Sequence, residues 1–312
     1  MFVGLYLLIG LLLAILLVKS ASWMIVSSSH LAKHFNISEY TISFLVIAFA
    51  TSLPEVIVGV VSALDKNPVL SYGNVLGSNI VDLTLILATP IFIGGALSTR
   101  EIIKNKDLFY TAFFGLLPVV LIYDGKLSRS DALVLLAGYI LYLFLVLRRS
   151  SPVETLIEKL HHIQLIKEFA IFIGASVLLL VSANFLVKIA ENLSITAQVP
   201  LIFVGLTVTA LGTSLPELIF GLKAVTTNHS GEVLGNVVGS VVANSTLVLG
   251  ITALIEPITK SSNSGIVSLG FLMFTLILFV VFSLTGRQLG KKEALLLIMV
   301  YIVFIMTERF FV

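Results

Sequence analysis

Of the 312 residues, 58% are hydrophobic and 12% are charged, where an ordinary soluble domain carries about 25% charged residues. Such a chain cannot wrap its apolar content in a polar surface, which argues against a soluble helical protein. The net charge of +2 comes without a basic block, so there is no nucleic-acid footprint. The absence of cysteine rules out disulfides and thiolate metal centres.

Apolar runs recur along the whole chain, among them Leu7 to Val18, Ile171 to Val181 and Ile266 to Leu284. About 20 apolar residues span the hydrocarbon layer as a helix. A membrane β-barrel would alternate apolar and polar residues instead. The first run, Phe2 to Val18, is followed by Ser20-Ala21-Ser22, which loosely resembles a signal-peptide cleavage site. No Lys or Arg precedes it, however, and it has a counterpart later in the chain, so it reads as a retained first helix. In chain order the predicted helices are 2–27, 40–64, 72–95, 108–123 and 131–147, then 167–190, 200–225, 232–256, 265–285 and 292–310. The one long polar connection, Arg148 to Lys167, lies between the two groups.

The two groups are copies. Thr51-Ser52-Leu53-Pro54-Glu55 recurs as Thr213-Ser214-Leu215-Pro216-Glu217, 162 residues on. Gly73-Asn74 recurs at Gly235-Asn236, and Gly77-Ser78 at Gly239-Ser240. Asp82 falls on Asn244, and Ser20-Ala21-Ser22-Trp23 on Ser182-Ala183-Asn184-Phe185, all at the same offset. Repeats of this kind mark a duplicated unit. The expected fold is therefore an all-α integral membrane protein of ten transmembrane helices. Five helices per repeat is an odd number, so the second copy enters the membrane from the opposite side, giving a 5+5 inverted-topology repeat. The expected boundaries are 1–147 for the first repeat, 148–166 for a cytoplasmic linker and 167–312 for the second repeat. Lys and Arg are twice as frequent in the loops holding Arg100, Lys104, Arg148, Arg149 and Lys167 as on the other side. That bias puts those loops inside and both termini outside a cell membrane.

Ionisable residues within a span cost roughly 2.5–3.5 kcal/mol each on insertion scales. Glu55, Asp82 and Glu217 sit at mid-span, with no Lys or Arg at comparable depth except Lys19 or Lys188, so they call for bound cations or protons. Asn74, Ser78 and Asp82 share one helix face at i, i+4 and i+8, and so do Asn236, Ser240 and Asn244. Thr51 and Ser52 precede Glu55 by one turn, as Thr213 and Ser214 precede Glu217. Oxygen donors of this kind suit hard cations such as Ca²⁺ or Na⁺. Without His or Cys in the stripe, Zn²⁺ and Cu⁺ do not fit. A proline inside a helix displaces carbonyls before it: Pro54 and Pro216 are expected to free those near Ala50 and Gly212, and to distort the turns at Ala48 and Ala210. The glycines at i, i+4 admit close helix packing. His30, His34, His161, His162 and His229 fall in predicted loops, with no role assigned.

The paired blocks, Ala50 to Glu55 with Gly73 to Asp82 and Gly212 to Glu217 with Gly235 to Asn244, resemble the two α-repeats of the cation/calcium exchanger superfamily, and most closely its prokaryotic sodium/calcium exchangers. The resemblance implies alternating access, with Ca²⁺ between Glu55 and Glu217 and Na⁺ sites around it. It implies oxygen ligands from Thr51, Ser52, Ser78, Thr213, Ser214 and Ser240, carbonyls from Ala48 and Ala210, and completion by Asp82 and Asn244. The chain departs from the pattern in carrying Asp in the first repeat and Asn in the second, which leaves Na⁺ or H⁺ open as the driving ion. No Gly-rich nucleotide loop is present and no enzyme or cofactor is expected. The expected partners are the lipid bilayer and the transported Ca²⁺ and Na⁺ (or H⁺), with no nucleic acid or nucleotide. A cation channel, which is commonly an oligomeric ring, fits less well with a chain that builds a complete site by itself as a monomer.

Overall fold

The computed structural model describes residues 2–34, 51–98, 105–148, 162–226, 230–259, 264–285 and 288–311, and among these the chain is almost wholly helical. The first half contributes α1 (Phe2–His34), α2 (Leu53–Leu64), α3 (Pro68–Gly94), α4 (Asn105–Leu121) and α5 (Arg129–Leu147). The second half contributes α6 (His162–Ala197), α7 (residues 201–213), α8 (Leu215–Thr226), α9 (residues 230–255), α10 (Ser264–Thr285) and α11 (Lys291–Phe311). Helix occupies all ten predicted stretches; the first part of the second one, 40–50, lies outside the described residues. By length and composition, Pro68–Gly94, Arg129–Val146, Leu201–Leu222, Val233–Ile255 and Gly265–Thr285 can each cross a membrane.

Two helices outrun their predicted ends. α1 has 33 residues and α6 has 36, more than the roughly 20 a bilayer needs. Ser27-Ser28-Ser29 and His162 to Ile166 lower apolarity without stopping a helix, because neither contains Gly or Pro. His30, His34 and His162 are thus helical rather than in loops. His161 and His229 lie outside the described residues.

The prolines also act differently from the expectation. Pro54 and Pro216 are each the second residue of a new helix rather than a kink within a continuous one. The break falls on Ser52 (φ −82°, ψ 1°) and on Ser214 (φ −82°, ψ 5°). Proline suits the first turn, where its missing N–H needs no partner. The near-identical angles show the duplicated sequence folding the same way twice.

α3 and α9 are continuous but contain wider π-helical turns at Asp82–Ile86 and Ala243–Val248, and α7 contains a third at Gly205–Thr209. In each of the first two, a threonine returns its hydroxyl to the previous turn, Thr84 to the Ile80 carbonyl and Thr246 to the Val242 carbonyl. π-turns of this kind gather at functional sites.

Two short antiparallel ribbons join the halves. Leu97–Ser98 (β1) pairs with Gln288–Leu289 (β4), and Lys126–Leu127 (β2) pairs with Ile258–Thr259 (β3). Each ribbon takes one strand from each half.

The centre is built by close helix approach. Tyr72, Leu76, Ile80, Leu83, Leu87 and Phe279 are fully buried, while α4, α5 and α10 turn large apolar side chains outward. A Cβ at Gly77 would lie 2.3 Å from the Leu206 carbonyl oxygen and 2.7 Å from the Ala210 Cβ; one at Gly73 would lie 2.4 Å from the Ile202 carbonyl oxygen. α3 therefore touches the backbone of α7, and only glycine fits. Gly77→Ala forces these backbones apart and should cost about 1–3 kcal/mol, seen as a lower melting temperature in detergent. Gly270→Ala, where a Cβ meets nothing within 4 Å, should leave the melting temperature unchanged or raise it.

Candidate functional site

The site lies where the two helix breaks meet the polar faces of α3 and α9. The break before α2 presents Thr51, Ser52 and Glu55, and the break before α8 presents Thr213, Ser214 and Glu217. α3 brings Asn74, Ser78 and Asp82, and α9 brings Asn236, Ser240 and Asn244. All are buried, none more than 4% exposed.

Their hydrogen bonds repeat across the halves. Thr51 donates its hydroxyl to Asn236 Oδ1 at 3.1 Å, and Thr213 donates to Asn74 Oδ1 at 3.1 Å. Thr51 lies 3.4 Å from the Ser240 hydroxyl, as Thr213 does from Ser78. Ser78 donates to Glu55 Oε1 at 3.4 Å, and Ser240 to Glu217 Oε1 at 3.3 Å. Each chain of contacts thus runs from a glutamate to the serine of its own half, then to the threonine of the other half. Ser214 lies beside Asp82, and the three carboxylates are near enough to repel one another.

Several buried atoms keep no partner: Glu55 Oε2, Glu217 Oε2, both Asp82 oxygens, both polar atoms of the Asn244 amide, the Ser52 and Ser214 hydroxyls, and Asn74 Nδ2. Each costs on the order of 1–3 kcal/mol if nothing binds it. So many together describe a place for a ligand rich in positive charge. Among the described residues no three carboxylate or imidazole groups converge tightly enough to hold a metal alone. A cation here must also use hydroxyl, amide or carbonyl oxygens, which is the habit of Na⁺ and Ca²⁺.

Hydrogen-bond contacts thus join Thr51, Glu55, Asn74, Ser78, Thr213, Glu217, Asn236 and Ser240, while Ser52 and Asn244 are buried with unpartnered polar atoms. Ala48 lies outside the described residues. The Ala210 carbonyl accepts the Ser214 N–H at 3.0 Å and faces the Thr213 hydroxyl at 3.4 Å. It keeps its helical bond because the N–H that Pro216 lacks would have gone to Gly212. Sequence reasoning passed over three polar groups. Thr209, at the end of the π-turn in α7, has a buried hydroxyl without a partner. Asn79 donates to Ser245 at 2.8 Å, and Ser245 donates to the Gly115 carbonyl of α4 at 3.3 Å. Asn79 and Ser245 fall on Val241 and Leu83 at the 162-residue offset, so a search for repeated polar positions misses them.

Comparison with known proteins gives a consistent picture. The family of sodium/calcium exchanger proteins matches residues 5–148 and 167–308. A membrane protein of Methanocaldococcus jannaschii is 31% identical over 305 residues, covering 97% of each chain. The sodium/calcium exchanger MaX1 of Methanosarcina acetivorans is 24% identical over 353 residues, covering 96% of this chain and 97% of its own. A solved structure of the sodium-calcium exchanger NCX_Mj, soaked with 10 mM Na⁺ and zero Ca²⁺, superimposes with a TM-score of 0.67 at 28% identity, covering 97% of both chains.

Because the threonine contacts are equivalent, Thr51→Val and Thr213→Val should destabilise the protein to a similar extent. Each leaves one buried asparagine oxygen without its donor, at about 1–3 kcal/mol. Paired thermal melts in the absence of Na⁺ and Ca²⁺ test this; a large loss in one variant alone would show that only one of the two chains of contacts supports the fold.

Proposed function

The chain belongs to the sodium/calcium exchanger protein family, a multi-pass membrane family of cation/Ca²⁺ exchangers, and on that premise we propose that it moves Ca²⁺ across the membrane in exchange for Na⁺ by alternating access. The observation that carries this reading is the buried cluster of three carboxylates, with hydroxyl and amide oxygens around it and, among the described residues, no cationic side chain paired to any of them. Glu55 and Glu217, in equivalent surroundings on opposite halves, are the central Ca²⁺ ligands. Thr51, Ser52, Ser78, Asn74 and their counterparts Thr213, Ser214, Ser240 and Asn236 complete the Ca²⁺ and Na⁺ positions, together with the Ala48 and Ala210 carbonyls. Asp82 and Asn244 flank the centre.

The charge sum favours two kinds of ion. Three carboxylates exceed the two charges of one Ca²⁺, so a further Na⁺ or proton must accompany Ca²⁺ or replace it. Hydroxyl-rich surroundings suit Na⁺, which needs several oxygen ligands; a proton needs only one. The architecture we infer is the 5+5 inverted repeat, residues 1–147 and 167–312 joined by a cytoplasmic linker at 148–166, with both termini outside and a single chain sufficient for transport. Helix breaks and π-turns at membrane depth are tolerated where they line a cavity, and in inverted-repeat transporters that cavity lies at the repeat interface.

Uptake of ⁴⁵Ca²⁺ into proteoliposomes tests the exchange. It should require Na⁺ inside the vesicles, and Glu55→Gln or Glu217→Gln should abolish it; activity persisting in both single variants would remove the mechanism. Uptake driven by a pH gradient alone would make the counter-ion a proton, with Asp82→Asn the variant to separate that coupling from Ca²⁺ binding. For topology, a protease-sensitive tag on the C-terminus should be cleaved from outside intact cells; protection until the cells are opened would invert the proposed orientation.

A further inference from the structure

Outside the central site, the described membrane helices hold another buried carboxylate. Glu308 in α11 has no exposed surface. One oxygen, Oε1, accepts the Ser268 hydroxyl of α10; the other, Oε2, is buried and has no partner. Ser268 is itself fully buried. One turn before it on the same face of α10, a Cβ at Gly265 would lie 3.6 Å from both Tyr72 Cε1 and Ile202 Cδ1. This brings the ring of Tyr72, buried and with an unpartnered hydroxyl, to the same end of α10. Glu308 therefore sits where the starts of α3, α7 and α10 meet the end of α11.

The ionisable groups on these elements are few. α10 has none, and residues 201–213 of α7 have none. α3 has Tyr72 and Asp82, and Asp82 stands ten residues further along, about 15 Å away at 1.5 Å per residue. On α11 itself, Tyr301 is two turns back, with a buried and unpartnered hydroxyl, and the basic neighbour Arg309 is exposed on another face. No described Lys, Arg or His forms an ion pair with Glu308.

We propose that Glu308 is a proton-binding site separate from the ion-exchange centre, and that it carries its proton when α3, α10 and α11 are packed. A carboxylate closed off from water with no counter-charge is costly, and protonation removes the charge. One carboxyl with a serine hydroxyl and a phenol nearby is too poor in charge and ligands for Ca²⁺, which takes six to eight oxygens. Position supplies the access: Glu308 is three residues from the end of α11, about 5 Å of helix, so a proton reaches it without crossing the core. Ionisation would set an unpaired charge among these packed helices. α10 and α11 also contact the π-turn that begins at Asp82, so loosening them reaches the exchange centre.

The test is infrared spectroscopy of the full-length protein in liposomes, in a background where Glu55, Asp82 and Glu217 are replaced by Gln, Asn and Gln. The C=O stretch of a buried protonated carboxylic acid should be present, should disappear in Glu308→Gln, and should shift in Ser268→Ala, which retains the acid but removes its donor. With the central site intact, Glu308→Gln should keep Na⁺-dependent Ca²⁺ uptake at acidic pH. No such band, or a band unchanged by Glu308→Gln, would overturn the proposal; loss of Ca²⁺ exchange in the Glu55 and Glu217 variants bears on the central site alone.

Discussion

Three carboxylates closed inside a membrane helix bundle, with no described lysine or arginine to pair them, are the constraint on which the rest of the structure depends. An ionised group in hydrocarbon is expensive, and so is any backbone amide without a partner. The fold meets both demands at one place. Breaks at Ser52 and Ser214 and π-turns at Asp82 and Ala243 open the helices only where polar side chains gather. Hydroxyls of Ser78 and Ser240 steady one oxygen of each glutamate, while the second oxygen stays open. A fully satisfied network would be a structural core; a half-satisfied one, repeated on both halves, is what supports the proposed cation site. The backbone contacts at Gly73 and Gly77 hold α3 against α7, which places the Ser78 hydroxyl within reach of Thr213 in the other half.

Much of this was legible in the sequence because duplication leaves an arithmetic trace. The polar residues at mid-span recur at one offset, and helices follow from apolar length, so the helix positions and the residues of the hydrogen-bonded polar cluster could be read. What could not be read depends on direction and distance. Pro54 and Pro216 signal a disturbance, but whether a proline bends a helix or begins a new one is decided by the backbone just before it, here a serine two positions ahead near φ −82°, ψ 0° in both halves. The π-turns leave no sequence mark beyond a polar residue near their start. The reach of α1 to His34 and the start of α6 at His162 reflect helix continuing through polar residues for lack of a stop signal. The cross-half pairing of Thr51 with Asn236 requires the two halves to be apposed, which a repeat within one chain does not specify. Glu308 has no repeated counterpart and stands near a helix end, where a solvated carboxylate is the ordinary reading; only its burial against Ser268 sets it apart.

The symmetry is incomplete in an informative way. Hydrogen bonds around Glu55 and Glu217 match within 0.1 Å, yet the flanking positions hold Asp82 on one side and Asn244 on the other. The polar bridge from Asn79 through Ser245 to the Gly115 carbonyl has no equivalent, since Val241 and Leu83 occupy the related positions. That bridge joins α3, α9 and α4 near the two flanking residues. On the proposed reading, matched glutamates would share a divalent ion evenly between the halves, while unequal flanks would not hold identical monovalent ions. The carboxylate at Asp82 draws a cation toward the first half, and the amide at Asn244 offers an oxygen without charge. On the proposed exchange, the two tasks divide in the same way: the symmetric pair would take Ca²⁺, and the asymmetric pair would set which charge travels in its place.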